Sequence, residues 1–179
     1  MTSRRKIVQG VGGFLLLVCA AAAVVHGQPA AAEGASQTAQ VREVYFGEDA
    51  ATVCQPGPGE FMLNELRHLY VCVVWAGLAG TYSAQLTFVS PDGHVYQTMT
   101  LAFVTAEAPA TVATLETEGR RHKVTRAGWR GRGETVLVAT LPVAGTYITQ
   151  HNLAGYWKVE ISLNGRPVDS DYFVLHTQH

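Results

Sequence analysis

From Val41 onward, the apolar residues of this 179-residue chain recur mostly with a period of two. Leu69, Val71, Val73 and Trp75 alternate with Tyr70, Cys72 and Val74. Tyr82, Ala84, Leu86 and Phe88 alternate with Ser83, Gln85 and Thr87. Trp157, Val159, Ile161 and Leu163 alternate with Lys158, Glu160 and Ser162, the cleanest half-buried pattern in the chain. Successive side chains of a strand point to opposite faces, so such runs set an apolar face inward and a polar face outward. β-branched and aromatic residues dominate them. Strands are predicted at about 41–47, 67–76, 81–90, 94–105, 134–141, 154–163 and 167–176, with about 110–116 as an eighth. Tyr156 is predicted to face outward, opposite to Trp157.

The breaks between runs carry turn chemistry. Ser90-Pro91-Asp92-Gly93 joins two strands: proline presets φ and glycine accepts a left-handed conformation. Asn164-Gly165 is a two-residue hairpin signal. Gly77 to Gly80 and Ala144-Gly145 mark further bends. At 60–68, Phe61, Leu63 and Leu66 would share a face of a single helical turn. No longer helix and no internal repeat is visible. Short strands separated by turns predict an all-β, antiparallel sandwich of seven or eight strands.

The C-terminal third carries a resemblance. Leu141-Pro142-Val143-Ala144-Gly145-Thr146-Tyr147-Ile148, then Gly155-Tyr156-Trp157-Lys158-Val159-Glu160-Ile161-Ser162-Leu163-Asn164-Gly165, then Asp171-Tyr172-Phe173-Val174-Leu175 resembles the closing strands of bacterial extracellular immunoglobulin-like domains. The resemblance implies an immunoglobulin-like β-sandwich and supplies no catalytic residue, because adhesive and accessory modules of many kinds share it. Cys54 and Cys72 are too close in sequence to be the inter-sheet pair of antibody-type domains.

The N-terminus changes the picture. Arg4, Arg5 and Lys6 precede an apolar run that is densest from Phe14 to Val25, and small residues follow at Gly27 and Ala30 to Ala32. This order reads as an export signal over 1–32, with cleavage near 27 or 32. The apolar core is shorter than the roughly 20 residues a spanning helix needs. Ser3-Arg4-Arg5-Lys6-Ile7-Val8-Gln9 is similar to a twin-arginine signal, and an ordinary basic start is the alternative. Cys19 reads as part of the apolar run. Residues 33–40 read as a flexible leader, and 41–179 as one domain. The expected location is periplasmic or secreted, without stable membrane insertion after cleavage. An exported chain meets oxidising conditions, so Cys54 and Cys72 are expected to form a disulfide. It would close a loop of roughly 19 residues and contribute about 3 kcal/mol. It would staple the proline- and glycine-rich stretch Cys54 to Gly59 to a strand.

The formal net charge is only −1, but the distribution is uneven. Arg120, Arg121, Lys123, Arg126, Arg130 and Arg132 crowd together with Trp129 and His122, with no acid between Gly119 and Gly133. The expectation is a basic loop at 118–133 on an acidic body. Guanidinium groups donate paired hydrogen bonds to phosphate and carboxylate. Arg120, Arg121, Lys123, Arg126, Trp129, Arg130 and Arg132 are therefore the candidate contacts for an anionic ligand. The alternative is a solvated loop that balances its own acidic body.

Motifs for chemistry are otherwise missing. There is no G-x-S-x-G, no phosphate-binding glycine loop and no H-E-x-x-H. His68, His94, His122, His151 and His176 are dispersed. Asp169 and Asp171 share one side of the last strand and read as a charged strand edge. No catalytic residue, metal or cofactor is predicted. The leading reading is an exported, non-catalytic module that binds a protein or an anionic envelope polymer, and no nucleic acid. A second is a small-ligand or carbohydrate-binding accessory module using Tyr147, Tyr156 and Trp129 as stacking platforms. A third is an enzyme whose site is assembled from scattered residues.

Overall fold

The computed structural model describes residues 39–109, 112–131 and 133–177. The predicted export signal, Cys19, most of the leader and Arg132 lie outside the described residues. Twelve strands and one short helix follow in order: β1 (Gln40–Gly47), β2 (Glu60–Met62), β3 (His68–Ala76), β4 (Thr81–Val89), β5 (Val95–Val104), β6 (Thr114–Thr117), β7 (Arg120–Lys123), β8 (Thr125–Arg126), β9 (Gly128–Arg130), β10 (Glu134–Pro142), α1 (Tyr147–Gln150), β11 (Gly155–Leu163) and β12 (Arg166–His176). Among the described residues no helix is long and apolar enough to cross a membrane.

Two sheets face each other. One has the order β1-β3-β10-β9 and the other β2-β12-β11-β4-β5-β8. The pairings are antiparallel except β2 with β12 and β8 with β5. This is the strand order of an immunoglobulin-like sandwich, with β1, β3, β10 and β9 in one layer and β12, β11, β4 and β5 in the other. Alternation explains the core. Leu69, Val71, Val73 and Trp75 of β3 meet Leu86 and Phe88 of β4 and Trp157, Val159 and Ile161 of β11, all buried. Trp157 stacks on Phe173 with ring centroids 5.9 Å apart and meets Tyr96 edge-on at 5.5 Å. Its Nε1 donates to the Leu153 carbonyl at 2.9 Å, so this buried indole leaves no polar atom unpaired, whereas the Nε1 of the equally buried Trp75 has no partner among the described residues.

The turns follow their chemistry. Asn164 (φ 49°) and Gly165 (φ 76°) are both left-handed, as a two-residue hairpin between twisted strands requires. Asn164 also ties the hairpin to β4, accepting from the Ser83 amide at 3.0 Å. The segment at 60–68 differs in part from expectation. Its first residues form β2, and a single turn follows in which the Leu66 amide donates to the Met62 carbonyl at 3.1 Å. Phe61, Leu63 and Leu66 are buried together, as their spacing predicts.

Cys72 points away from the core, on the outer face of the first sheet. It is bonded to Cys54, with a Cα separation of 5.3 Å. The stretch between β1 and β2 thereby lies over that face, where Val53, Cys72 and Val74 form a second small apolar cluster flanked by Tyr45 and Tyr70.

Candidate ligand cleft and the basic segment

The basic stretch is not one loop, which corrects the expectation for 118–133. It is a hairpin followed by two short strands that carry the chain from one sheet to the other. Glu118 (φ 53°) and Gly119 (φ 71°) make a tight turn between β6 and β7. β8 then lies beside Phe103 and Val104 of β5, and β9 beside Glu134 to Val136 of β10. Polar sequence concealed these strands. The only pattern was Leu115, Thr117 and His122, half-buried on one side of the hairpin.

This path separates the seven candidate contacts. The Arg126 guanidinium donates through Nη1 to the carbonyl oxygens of Thr105 (3.3 Å), Ala106 (2.7 Å) and Ala108 (3.3 Å). Arg130 donates to the Cys54 carbonyl at 3.1 Å and to Glu43 at 2.7 Å, and sits 5.6 Å from the Tyr45 ring centre. Its Nε lies 3.8 Å from Glu134. The Tyr45 hydroxyl donates to the same Glu43 oxygen, and this bond, together with Arg130, holds the Glu43 carboxyl below its ordinary range. The shared proton and the neighbouring negative charge push the Tyr45 hydroxyl up. The side chains of Arg120, Arg121 and Lys123 are exposed, with no hydrogen bond or ion pair to another described residue. Glu116 stands opposite Arg121 across the hairpin.

Trp129 has a different environment. It pairs with Thr135, which pairs in turn with the buried Trp75, so Trp129 belongs to the core-facing side of its sheet. It lies on the border strand β9, beyond the cover of the opposite sheet, and is 60% exposed. Beneath it is an open cleft of about 450 Å³, whose walls are the β3–β4 turn at Leu78 and Ala79, the stretch after β5 from Thr105 to Pro109, and the start of β10. Glu107 is among the residues that line it, and Glu134 borders it with its carboxylate turned to Arg130 on the other face of the sheet. Its rim is fixed by short-range bonds. The Thr105 amide donates to the Gly80 carbonyl at 2.9 Å, and the Gly80 amide to the Thr105 hydroxyl at 3.1 Å. The Tyr82 hydroxyl bonds the Ala79 main chain. Arg126 grips the opposite wall through its three carbonyls. The cleft is therefore preformed. Nothing in the chain's pattern predicted it, because its residues are spread over 78–135 and meet only through the topology.

The other expected features are separate. Tyr156 is 73% exposed on the outer face of the second sheet, as its register predicts. Tyr172 lies diagonally beside it, since Tyr156 faces Val174 and Lys158 faces Tyr172. Tyr147, the first residue of α1, stacks on His151 just past its end, with ring centroids 3.7 Å apart. Trp129, Tyr147 and Tyr156 thus lie on three different elements and form no row. Among the described residues, no group of three or more His, Cys, Asp or Glu side chains is arranged to hold a metal ion.

No protein-family model matches the chain, and no curated protein does. Solved structures do. An immunoglobulin-like protein of Pseudomonas aeruginosa aligns with a TM-score of 0.42 at 10% identity, over 80% of this chain and 100% of that one. An alkylpurine DNA glycosylase of Pseudomonas fluorescens, bound to DNA with an abasic site analog, aligns at 0.42 and 10%, over 77% of this chain and 30% of that one. A β-glucuronidase of Bifidobacterium dentium aligns at 0.34 and 10%, over 76% and 17%. Likenesses this distant say nothing about activity.

Proposed function

We propose that this chain is an exported, non-catalytic binding module whose working site is the cleft under Trp129, and that its ligand is a neutral carbohydrate. The observation that carries this reading is a core-facing indole left uncovered above a preformed cleft. An exposed tryptophan offers a broad apolar face with few torsions to freeze, and the C–H face of a sugar ring stacks on it. Glu107, which lines the cleft, accepts hydrogen bonds from hydroxyl groups and repels anions. With a single aromatic wall, the cleft lacks the several rings that enclose a quaternary ammonium ion. The disulfide supports an oxidising compartment.

Fluorescence isolates the site. Trp75 and Trp157 are fully buried and Trp129 is not, so the quencher-accessible emission belongs to Trp129. Titration with neutral gluco- and galacto-oligosaccharides is expected to shift and protect that emission. Trp129→Ala is expected to abolish retardation in gels containing the corresponding soluble polysaccharides while leaving the fold intact. Equal retardation of the wild type and the variant overturns the reading.

A second reading rests on the hairpin. Arg120, Arg121 and Lys123 have no partner among the described residues, and an anionic envelope polymer or an acidic protein would give them one.

A further inference from the structure

β12 borders the six-stranded sheet, and β2 covers it only at Val174 to His176. Upstream of Val174, no described strand lies along its outer edge. The direction of its main-chain donors is fixed by one bond. The Val174 amide donates to the Gly59 carbonyl at 2.8 Å, on the side away from β11. Donors alternate sides along a strand, so the amides of Tyr172 and Ser170 also point to the open side. Each is taken up locally. Asp171 Oδ1 accepts from the Tyr172 amide at 2.8 Å, and Asp169 Oδ1 from the Ser170 amide at 2.8 Å. Both aspartates occupy the core-side register, opposite Val159 and Ile161, at a place where an apolar residue would be the ordinary choice.

We propose that the open half of β12 is a latent self-pairing edge, shut by Asp169 and Asp171, whose occupant is the same edge of a second copy of this chain. An uncovered strand edge is a template for another strand, and charges placed on it prevent pairing. Symmetry and charge mark a second copy of the chain as the strand against which this edge is guarded. In an antiparallel pair centred on Ser170, the two serines exchange both main-chain bonds. Asp169 of each copy then stands opposite Asp171 of the other. Like charges directly opposite one another are destabilising, so the aspartates act twice: they occupy the outward donors and they repel their own symmetry mates. An unrelated strand meets only the first barrier.

The test is the solution mass of the whole exported domain across a concentration series. The wild type is expected to remain monomeric and Asp169→Ala/Asp171→Ala to double its mass. Asp169→Asn/Asp171→Asn keeps an acceptor without the charge and is expected to associate more weakly than the alanine pair. Adding Ser170→Pro to the alanine pair removes an outward donor at an edge position that tolerates proline, and is expected to restore the monomer. An alanine pair that is folded, with its disulfide intact, and stays monomeric overturns the proposal, as does association that survives Ser170→Pro. Should the alanine pair fail to fold, amide exchange of the wild type decides. Ser170 and Tyr172 amides slowed at least tenfold against random coil support the proposal, and exchange at the coil rate sinks it.

Discussion

From Arg120 to Lys123 the cations stand on a hairpin, exposed and without partners among the described residues, whereas at Arg126 and Arg130 the guanidinium groups turn onto the chain's own main-chain carbonyls and Glu43. The side-chain chemistry is the same in both places. What differs is the backbone beside it. The hairpin pairs with itself through β6 and β7, so its main-chain groups are already satisfied. The crossing at β8 and β9 runs past irregular stretches, 105–108 and the disulfide-held loop at Cys54, whose carbonyls no strand takes up. A planar fork with several donors suits such clustered acceptors better than a compact ammonium. A run of basic residues is therefore not one electrostatic object, and its role changes within a few positions.

The largest expected effect breaks the clamp. Arg126→Ala leaves three carbonyls without their charged donor and is expected to cost about 1.5 kcal/mol in urea unfolding, the low end for bonds to charged groups because the side chain is exposed. Because these carbonyls form one wall of the cleft, the shielding of Trp129 by an oligosaccharide should fall as well. Arg126→Lys should recover only part of both, since an ammonium does not span the set. Full stability and full ligand response in Arg126→Ala would place Arg126 with the free cations and erase the contrast.

A smaller effect sharpens the contrast through pH. Glu43, held by the Tyr45 hydroxyl and by Arg130, has its carboxyl lowered from 4.5 in the folded chain. A lowered carboxyl contributes stability above the unfolded value, and that contribution disappears as the pH falls through the folded one. The difference in Tm between the wild type and Arg130→Met should thus be constant from neutral pH down to about 4.5 and shrink below it. The group is exposed, so the difference should also shrink in high salt. A gap that stays constant down to strong acid would assign the role of Arg130 to its carbonyl bond and its packing on Tyr45 rather than to Glu43.

The fold was legible where alternation was strong. β3, β4 and β11 carry apolar residues at every second position, β5, β10 and β12 do so over part of their length, and each lies within one or two residues of its predicted bounds. The disulfide followed from compartment and count, without any pattern. The short strands β7, β8 and β9 were not legible, because polar residues on a border strand bury too little to leave a period. Arg126 and Arg130 looked like free cations for the same reason: their acceptors lie about 20 and 76 positions away, and only the fold brings them together. In sequence Trp129 reads both as a companion of the basic residues and as a stacking platform. Its position on the core-facing side of an uncovered strand, which makes it a platform of its own, depends on its pairing with Thr135.

The smallest expected change in stability is also the one that separates the two regions most cleanly. Arg120→Gln/Arg121→Gln/Lys123→Gln removes charges that hold nothing within the described structure, so unfolding should move by no more than about 0.5 kcal/mol, as for surface changes away from structural contacts. Retention on an immobilised polyanion, read across a salt series, should nevertheless fall in this variant if the hairpin contacts an anionic partner. Arg126→Gln/Arg130→Gln should show the reverse: lower stability with retention preserved. The second variant is essential, because a change to all the arginines at once would mix lost charge with lost structure. Equal retention by wild type and hairpin variant would leave the hairpin without a part in anion binding.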